Sequence, residues 1–273
     1  MPTIVDHDAT VELLRSTWGA IAELCEPLDD AAWATPTCLP GWTVKDQLSH
    51  LVGTEEMLLG RDAPTADVSH LTHLRNDIAK MNEVRVESRR SATGAEVLAA
   101  FRAATAERLA ALDAMDQAAF DAPSWTPAGP DETYGRFMRI RAYDSFQHEH
   151  DIREAVGAPD RLDPAALASA LDETATALGY IVGRRAGLPE GQRVRIDLTG
   201  PVTATYLVEV TDRARPVDEL SGPPTVDVTL PSLTWLRLTG GRADGATLVG
   251  SDVTIEGDAE LGRQLVANLA FTI

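Results

Sequence analysis

The period of the hydrophobic pattern changes once along the chain, near Pro189, and this change constrains the fold more than any other feature. Before it, apolar residues recur every three or four positions, which is the spacing of an amphipathic helix. One such series is Val11, Leu14, Trp18, Ile21 and Cys25. After it, the segments QRVRIDLTG, TATYLVEV and TVDVTL alternate apolar with polar residues, as half-buried strands do. The sequence therefore predicts an α+β protein in which helices precede a sheet.

Capping and breaking residues divide the helical part. Thr43, with Asp46 three positions later, has the pattern of a capping box and starts one predicted helix. Gly157 and Pro159 close another, MRIRAYDSFQHEHDIREAVG. The segment DAPSWTPAGPDET is interpreted as a loop. The other predicted helices are one ending near Pro27, one over residues 68–90, AEVLAAFRAATAERLAALDAM and, as a single helix, LDPAALASALDETATALGYIVGRRAG.

The length of 273 residues favours two domains, since domains of about 100–200 residues are the norm. Four or more antiparallel helices followed by a small α+β unit is the simplest architecture for this pattern. We assign residues 1–160 to the helical bundle and 161–273 to the α+β unit, with the boundary between about 158 and 190. In the second unit we expect a short helix at SLTWLRLTGG, strands at TLVG and DVTIEGD, and a last helix from Glu260.

The charge balance excludes several classes of partner. Lys plus Arg number 24 and Asp plus Glu 42, which gives a formal net charge of −18. So acidic a chain does not hold nucleic acid or an anionic membrane by non-specific electrostatics. No run approaches the ~18 apolar residues of a membrane span, and the polar start MPTIVDHDATVELLRSTW predicts no signal peptide. We therefore expect a cytoplasmic monomer or homodimer in which Cys25 and Cys38 are free thiols.

Acidic and histidine side chains cluster in the predicted helix that contains HEHD. At about 100° per residue, Asp144 and His148 lie one turn apart on one face, whereas His150 lies on nearly the opposite side. His50, near the apolar stripe of an earlier helix, is the candidate for a third ligand, and Asp151 for an acceptor of the free ring N–H of His148. Two imidazoles and one carboxylate leave positions open on a divalent metal, as a catalytic site requires. Spacing alone leaves a second interpretation open, with His50 a hydrogen-bonded core residue and Asp144–His148 a surface pair.

Two segments of the helical part resemble signatures of a known family. CLPGWTVKDQLSHLVGTEE, residues 38–56, and RIRAYDSFQHEHDIREAVG, residues 139–157, are similar to the first and second signatures of the mycothiol-dependent maleylpyruvate isomerase family. The stretches LRNDIAKMNEVRVESRR and EVLAAFRAATAERLAAL between them are also similar to members of it. The resemblance implies a DinB-like four-helix bundle followed by a small α+β domain that is similar to sterol-carrier proteins.

The resemblance also implies a site and a class of reaction. Its alignment makes His50, Asp144 and His148 the metal ligands, with Asn82 a candidate for binding the cosubstrate. The family more often has Glu at the position of Asp144, so ligand distances or metal preference can differ in this chain. The metal implied is divalent, with Zn²⁺ preferred, and the thiol cosubstrate is mycothiol, the low-molecular-weight thiol of actinobacteria. A thiol on such a metal loses its proton and attacks a small electrophilic substrate; isomerisation and S-transfer need the same residues, and both stay open.

A carboxylate-bearing substrate needs a local positive charge on a protein this acidic. Arg242, next to glycines in LTGGRADG, is the candidate catalytic cation, at a pocket that we expect between the two domains. The alternative is a solvated surface arginine. Structural interpretations suffice for four other residues: Trp42 fastens its loop to the bundle, Cys38 is no nucleophile, and acids within the bundle pair with Arg139 and Arg141.

Two functions of other classes stay open. The chain is alternatively a non-catalytic binding protein whose C-terminal domain holds an apolar molecule. It is also consistent with a metal-dependent hydrolase of the same bundle fold, in which water attacks in place of a thiolate. Metal content separates the binding protein from the two enzymes, and binding of the thiol separates the isomerase or transferase from the hydrolase.

Overall fold

The computed structural model describes residues 2–72, 74 and 76–272. They form two compact units, of which the first ends at Arg161 and the second begins at Leu162. The helix that connects the two parts of the sequence belongs to the second unit. No helix in these described ranges combines the length and the hydropathy that crossing a membrane requires.

The first unit consists of helices and one short hairpin. In chain order its helices are α1 (His7–Cys25), α2 (Asp30–Trp33), α3 (Val44–Leu58), α4 (Asp77–Glu87), α5 (Gly94–Asp113), α6 (Gln117–Phe120) and α7 (Tyr134–Ala155). The strands of the hairpin, β1 (Pro123–Thr126) and β2 (Gly129–Thr133), pair in antiparallel fashion. Four of the helices are long, as the sequence predicted.

The long helices α1, α3, α5 and α7 form the bundle. α1 packs against α5 and α7, and α3 packs against the same two helices. The apolar stripe predicted on α1 is buried, with Leu14 and Ile21 fully inaccessible to solvent. It shares one core with Leu48 on α3 and Phe101 on α5. Burial of an apolar stripe from each helix drives this packing, and the packing places α3 beside α7.

One predicted helix of the first unit is shorter than expected. The helix predicted over residues 68–90 begins only at Asp77, because Asn76 is its N-cap and accepts a hydrogen bond from the backbone N–H of Ala79 at 2.8 Å. The described residues of this segment that precede Asn76, residues 68–72 and 74, are not helical. His73 and Arg75, within the same predicted segment, lie outside the described residues.

The sequence predicted a loop at DAPSWTPAGPDET. This prediction is wrong, because the segment contains β1 and β2. Thr126 stabilises the turn between the strands with its side chain. Its hydroxyl donates to the carbonyl of Gly129 and accepts from the N–H of Ala128, both at 3.1 Å. Gly129 has φ +140°, a backbone conformation that glycine adopts without strain. The turn residues therefore direct a hairpin, and not an irregular connection.

The second unit combines short helices with one five-stranded sheet. In chain order it contains α8 (Pro164–Ala175), α9 (Leu178–Tyr180), a π-helical turn (Ile181–Arg185), β3 (Arg193–Thr199), β4 (Ala204–Val210), β5 (Ala214–Pro216), β6 (Val226–Pro231), α10 (Ser232–Thr239), α11 (Gly245–Leu248), β7 (Thr254–Gly257) and α12 (Ala259–Val266). The strand order is β5-β4-β3-β6-β7. β3 and β6 run parallel, and the other neighbouring pairs are antiparallel.

The apolar residues of the alternating pattern in the second part of the sequence lie on the buried face of this sheet. Val194, Ile196 and Leu198 on β3 are all buried, and alternate residues of β6 are buried beside them. α10 packs against β3, β6 and α8. Its Trp235 is fully buried and donates its indole N–H to the hydroxyl of Thr174 on α8 at 2.9 Å. The predicted α+β fold class is therefore confirmed.

The segment LDPAALASALDETATALGYIVGRRAG is not one uninterrupted helix. It breaks after Ala175 and ends in the π-helical turn, where the N–H of Ala186 donates to the carbonyl of Ile181 at 2.8 Å. The glycines of this stretch lie close to β5: a Cβ added at Gly179 or Gly183 would lie 2.9 Å from atoms of Ala214. Close packing against the strand therefore accompanies the departure from a regular helix.

The sequence predicted a strand at TLVG. This prediction is wrong, because the segment lies at the end of α11. The side chain of Asp244 accepts from the N–H of Ala246 at 3.0 Å and starts a helical turn. This turn ends at Leu248, before the residues that form β7. The predicted strand at DVTIEGD and the last helix from about Glu260 are both present, as β7 and α12.

Candidate metal centre

Two neighbouring helices of the bundle carry the site, and each has a defined start. α3 begins behind Thr43, whose backbone N–H donates to the carboxylate of Asp46 at 2.9 Å, as the predicted capping box requires, and whose hydroxyl donates to the same carboxylate at 2.8 Å. α7 begins behind Thr133, whose hydroxyl accepts from the N–H of Arg136 at 3.0 Å. Because α3 packs against α7, these starts bring His50 to the face of α7.

The structure brings His50, Asp144 and His148 together. Nε2 of His50 lies 3.2 Å from Oδ2 of Asp144, and Nε2 of His148 lies 3.5 Å from Oδ1 of the same carboxylate. The two imidazole rings are 4.8 Å apart between centroids. Both histidines are buried, whereas the side chain of Asp144 keeps 29% of its exposure. Within the described residues, this is the one group of three such side chains whose ligand atoms, all within 4.8 Å of one another, could hold a metal ion.

The spacing of these atoms fits a small divalent ion. Nitrogen and oxygen ligands lie about 2.0–2.2 Å from Zn²⁺ in a tetrahedral site, which places neighbouring ligand atoms about 3.4 Å apart. The two imidazole–carboxylate distances, 3.2 and 3.5 Å, agree with that value. Two nitrogens and one carboxylate oxygen are also ligand types that zinc accepts. The donor set therefore suits a metal with at least one open position.

Asp151 lies behind His148, as expected from the sequence. Its Oδ2 is 3.3 Å from Nδ1 of His148, and its Oδ1 accepts from the thiol of Cys38 at 3.2 Å. A negative charge at this distance favours a proton on Nδ1, which leaves the lone pair of Nε2 directed at the cluster. Both cysteines are free thiols, with Cys25 buried and Cys38 exposed.

His150 is not part of the cluster. Its Nδ1 contacts the carbonyl of Phe146 at 2.9 Å, and its ring lies against the ring of Phe146, with 4.2 Å between centroids. It is two residues from His148 along α7 and therefore points to a different side of the helix. His150 therefore lies away from the cluster, as expected from its position on the helix.

Trp42 contributes to the site, which the sequence did not predict. Its indole N–H donates to Glu83 on α4 at 2.8 Å, so that it does fasten its loop to the bundle. Its ring also lies beside both histidines, with centroids 5.3 Å from His50 and 6.0 Å from His148. The indole therefore forms one wall of the cluster. Its place in the first family-like segment was the only signal in the sequence.

A buried carboxylate on α3 supports the cluster from below. Glu55 is fully buried and accepts from Nε of Arg141 at 2.8 Å and from Nε of Arg108 at 3.1 Å. Nη1 of Arg141 also lies 2.5 Å from Oδ2 of Asp144. The prediction that Arg141 pairs with acids in the bundle is correct. The sequence did not single out Glu55 or Arg108.

Burial and charge set the ionisation of the three clustered side chains. Burial raises the pKa of Asp144, but Arg141 and the two histidines outweigh it and hold that pKa well below its usual range. Burial dominates at His50 and lowers its pKa despite Asp144 nearby. At His148 burial is outweighed by Asp144 and Asp151, which raise the pKa. The carboxylate is thus ionised and His50 neutral near pH 7, as metal ligands must be.

The two other predicted site residues belong to different units. Asn82 is half-buried on α4. Arg242 belongs to the second unit, where its Nη1 donates to the carbonyl of Gly240 at 2.5 Å and its backbone N–H to Arg237 at 2.7 Å. Their roles at a metal or substrate stay predictions.

The fold and the site together define a class of protein. A four-helix bundle that presents two histidines and a carboxylate on neighbouring helices precedes an α+β unit with a five-stranded sheet. Residues 14–153 match the family model of the mycothiol maleylpyruvate isomerase N-terminal domain, and residues 168–264 match that of the MDMPI C-terminal domain. The chain therefore belongs to the mycothiol maleylpyruvate isomerase family, as the resemblance in its sequence implied.

Solved structures agree with the fold. A crystal structure of the mycothiol-dependent maleylpyruvate isomerase matches with a TM-score of 0.61 at 15% identity, over 94% of this chain and 96% of that one. A histidine-to-alanine mutant of the mycothiol-dependent maleylpyruvate isomerase matches with a TM-score of 0.58, at the same identity and coverage. At this identity the likeness concerns the fold alone. No curated protein sequence matches the chain significantly.

Proposed function

We propose that the chain is a metal-dependent enzyme that uses mycothiol as its thiol cosubstrate. It acts as an isomerase or S-transferase on a small electrophilic substrate that carries a carboxylate. The observation that supports this proposal is the convergence of His50, Asp144 and His148, whose ligand atoms all lie within 4.8 Å of one another. Membership of the family indicates that the thiol is mycothiol. Because mycothiol is the thiol of actinobacteria, we place the protein in the cytoplasm of an actinobacterium.

The residues of the cluster each have a role in this proposal. His50 and His148 offer neutral nitrogen ligands and Asp144 a charged oxygen, so that a divalent ion keeps a net charge of about +1. A divalent ion such as Zn²⁺ supplies the Lewis acidity that lowers the pKa of a thiol into the neutral range. The negative charge of Asp151, 3.3 Å from Nδ1 of His148, favours the ring proton at that nitrogen, and Trp42 excludes water from one side of the histidines.

The binding of thiol to metal is the step that distinguishes this function from others. We expect mycothiol to raise the melting temperature of the zinc-loaded protein, and a chelator to abolish that increase. His148→Ala serves as the matched variant, in which mycothiol leaves the melting temperature unchanged. A protein that binds zinc but shows no response to mycothiol is better described as a hydrolase of the same fold. A protein that binds no divalent metal contradicts the proposal.

Arg242 is the proposed partner of the carboxylate of the substrate. We expect Arg242→Ala to raise KM or reduce kcat about tenfold or more, the effect of losing one charge-assisted hydrogen bond of about 1.5–3 kcal/mol. The zinc content stays at the wild-type level, since Arg242 is no ligand. Arg263→Ala, which removes an exposed arginine of the same unit, is the control. Equal kinetics for both variants contradict the role of Arg242.

Asn82, on α4 beside Glu83, is proposed to contact the thiol cosubstrate.

A further inference from the structure

A continuous series of charged side chains extends from the interior of the bundle to the metal cluster. Arg108 on α5 contacts Glu55 on α3, Glu55 contacts Arg141 on α7, and Arg141 contacts Asp144. Three helices therefore contribute to one electrostatic network. The network contains two positive and two negative groups, so that its charges balance.

Side-chain exposure increases from Glu55 toward the cluster. The side chain of Glu55 is fully buried, that of Arg141 is 4% exposed and that of Asp144 is 29% exposed. Buried charges are costly to desolvate and are therefore found paired with opposite charges. Here the deeply buried members are fixed by each other, and the partly exposed member is a candidate metal ligand. The network thus has one anchored end and one end at the site.

Arginine suits the central position because of its shape. Its planar guanidinium bridges two carboxylates, with Nε on Glu55 at 2.8 Å and Nη1 on Asp144 at 2.5 Å. An ammonium group on a flexible stem is a point charge and does not hold two carboxylates in a fixed relative geometry. The contact with Arg141 involves Oδ2, the same oxygen that lies 3.2 Å from His50. Rotation of the Asp144 carboxylate would break both contacts.

We propose that Arg141, anchored by Glu55, is a positioning residue that fixes the Asp144 carboxylate in the orientation required for binding the metal. This inference rests on the proposed function, since it assumes a metal at the cluster. It assigns to the Glu55–Arg141 pair a part in setting metal affinity, beyond its part in packing α3 against α7.

The test compares two matched substitutions in the full-length, metal-free protein. Arg141→Lys keeps the charge but loses the bridge to Asp144, and Arg108→Lys makes the same change at the other guanidinium on Glu55. Zinc affinity is measured by competition with a chromophoric chelator, and ligand geometry by the visible absorption spectrum of the cobalt(II)-substituted protein. We expect Arg141→Lys to weaken zinc binding about 10–100-fold, the usual effect of losing a partner of a metal ligand, and to alter the cobalt spectrum. Arg108→Lys leaves both near the wild-type values.

The possible results distinguish failure of the positioning role from failure of the proposed function. Wild-type affinity and spectrum in Arg141→Lys overturn the positioning role, as does an equal loss in both variants, which indicates a general effect on packing. If Arg141→Lys does not fold, Glu55→Gln replaces it, because it removes the charge that anchors Arg141; weaker zinc binding then supports the proposal, and unchanged binding overturns it. If the wild-type protein binds no zinc, the proposed function itself fails and this inference with it.

Discussion

Asp144 is the residue on which the interactions at the site converge. It faces Arg141 at 2.5 Å and both histidines at 3.2 and 3.5 Å. The resulting pKa values differ among the three clustered side chains: that of Asp144 is held well below its usual range and that of His50 is lowered by burial, whereas Asp144 and Asp151 raise the pKa of His148 above its ordinary value. His148 is therefore the ligand at which a proton and a metal compete.

The two histidines of HEHD provide a direct test of the assigned ligands. We expect His148→Ala to reduce zinc binding at least about 100-fold, since even a partner of a ligand contributes 10–100-fold. His150→Ala removes a buried ring that lies against Phe146 and costs stability, but it leaves one zinc per chain. Metal analysis of the folded variants after dialysis makes the comparison. Similar zinc contents in the two variants contradict the assignment of His148.

Metal binding is expected to depend on pH through His148. Its pKa lies above the ordinary value of 6.5, and below that pKa zinc must displace a proton from the ring. The apparent zinc affinity therefore falls as the pH decreases, by about tenfold per pH unit for one proton, with an onset above pH 6.5. Titrations between pH 8 and pH 5.5 measure the slope. Asp151→Asn removes one of the charges that raise this pKa and moves the onset to lower pH; an affinity independent of pH contradicts the prediction.

At the scale of secondary-structure elements, the site depends on how closely its helices approach one another. α4 packs against α3, and the contact occurs at Gly53, where an added Cβ would lie 2.7 Å from Cβ of Arg85. A Cβ atom moves only with its backbone, so a side-chain rotation cannot relieve this contact. α4 also holds Glu83, which fixes Trp42 beside the histidines. The glycine is thus a requirement of helix packing and not of backbone conformation.

Substitution of this glycine is expected to separate packing from helix propensity. Gly53→Ala lowers the free energy of unfolding by up to about 2 kcal/mol, since overpacking costs about 1–3 kcal/mol and the better propensity of Ala returns about 1 kcal/mol. Gly19→Ala on α1 is the control: this glycine is exposed, and an added Cβ would meet nothing within 4 Å. We expect it to stabilise the protein by about 0.5–1 kcal/mol. Denaturant titrations test both changes, and stabilisation by both contradicts the packing argument.

At the scale of the whole molecule, each unit has an apolar core of its own. The bundle buries stripes from four long helices, and the second unit buries alternate residues of its sheet beneath Trp235. Small zinc domains, in contrast, depend on their metal because they lack such a core. We therefore expect this protein to fold without a metal.

Removal of the metal is expected to lower stability without unfolding the protein. Zinc at about 100 times its Kd adds about 2.7 kcal/mol to the folded state, so that a chelator shifts the melting temperature by several degrees and leaves the helical circular dichroism at 25 °C unchanged. The His148→Ala variant, treated in the same way, shows no shift. Loss of helical signal on chelation indicates a structural site and contradicts the prediction.

The order of the elements and the faces of single helices were determined by the sequence. The change of hydrophobic period near Pro189 predicted helices before a sheet, and Thr43 with Asp46 predicted the start of α3. The four-residue spacing of Asp144 and His148 placed both on one face of α7. Such features depend on interactions between residues a few positions apart, which a local pattern records. Two of the wrong predictions, a loop where β1 and β2 form and one unbroken helix where α8 ends, occur where a turn side chain or close packing overrides the local pattern.

Contacts between elements were decided only by the tertiary structure. The sequence contains Glu55, Arg108 and Trp42, but nothing in their spacing indicates that they meet Arg141 or the histidines. These contacts depend on the rotation of each helix and on the distance between helix axes, and both follow from how the entire core packs. For this reason the candidate ligands and Asp151 were predicted from the sequence, whereas the parts of Glu55, Arg108 and Trp42 became apparent only once the helices were placed side by side.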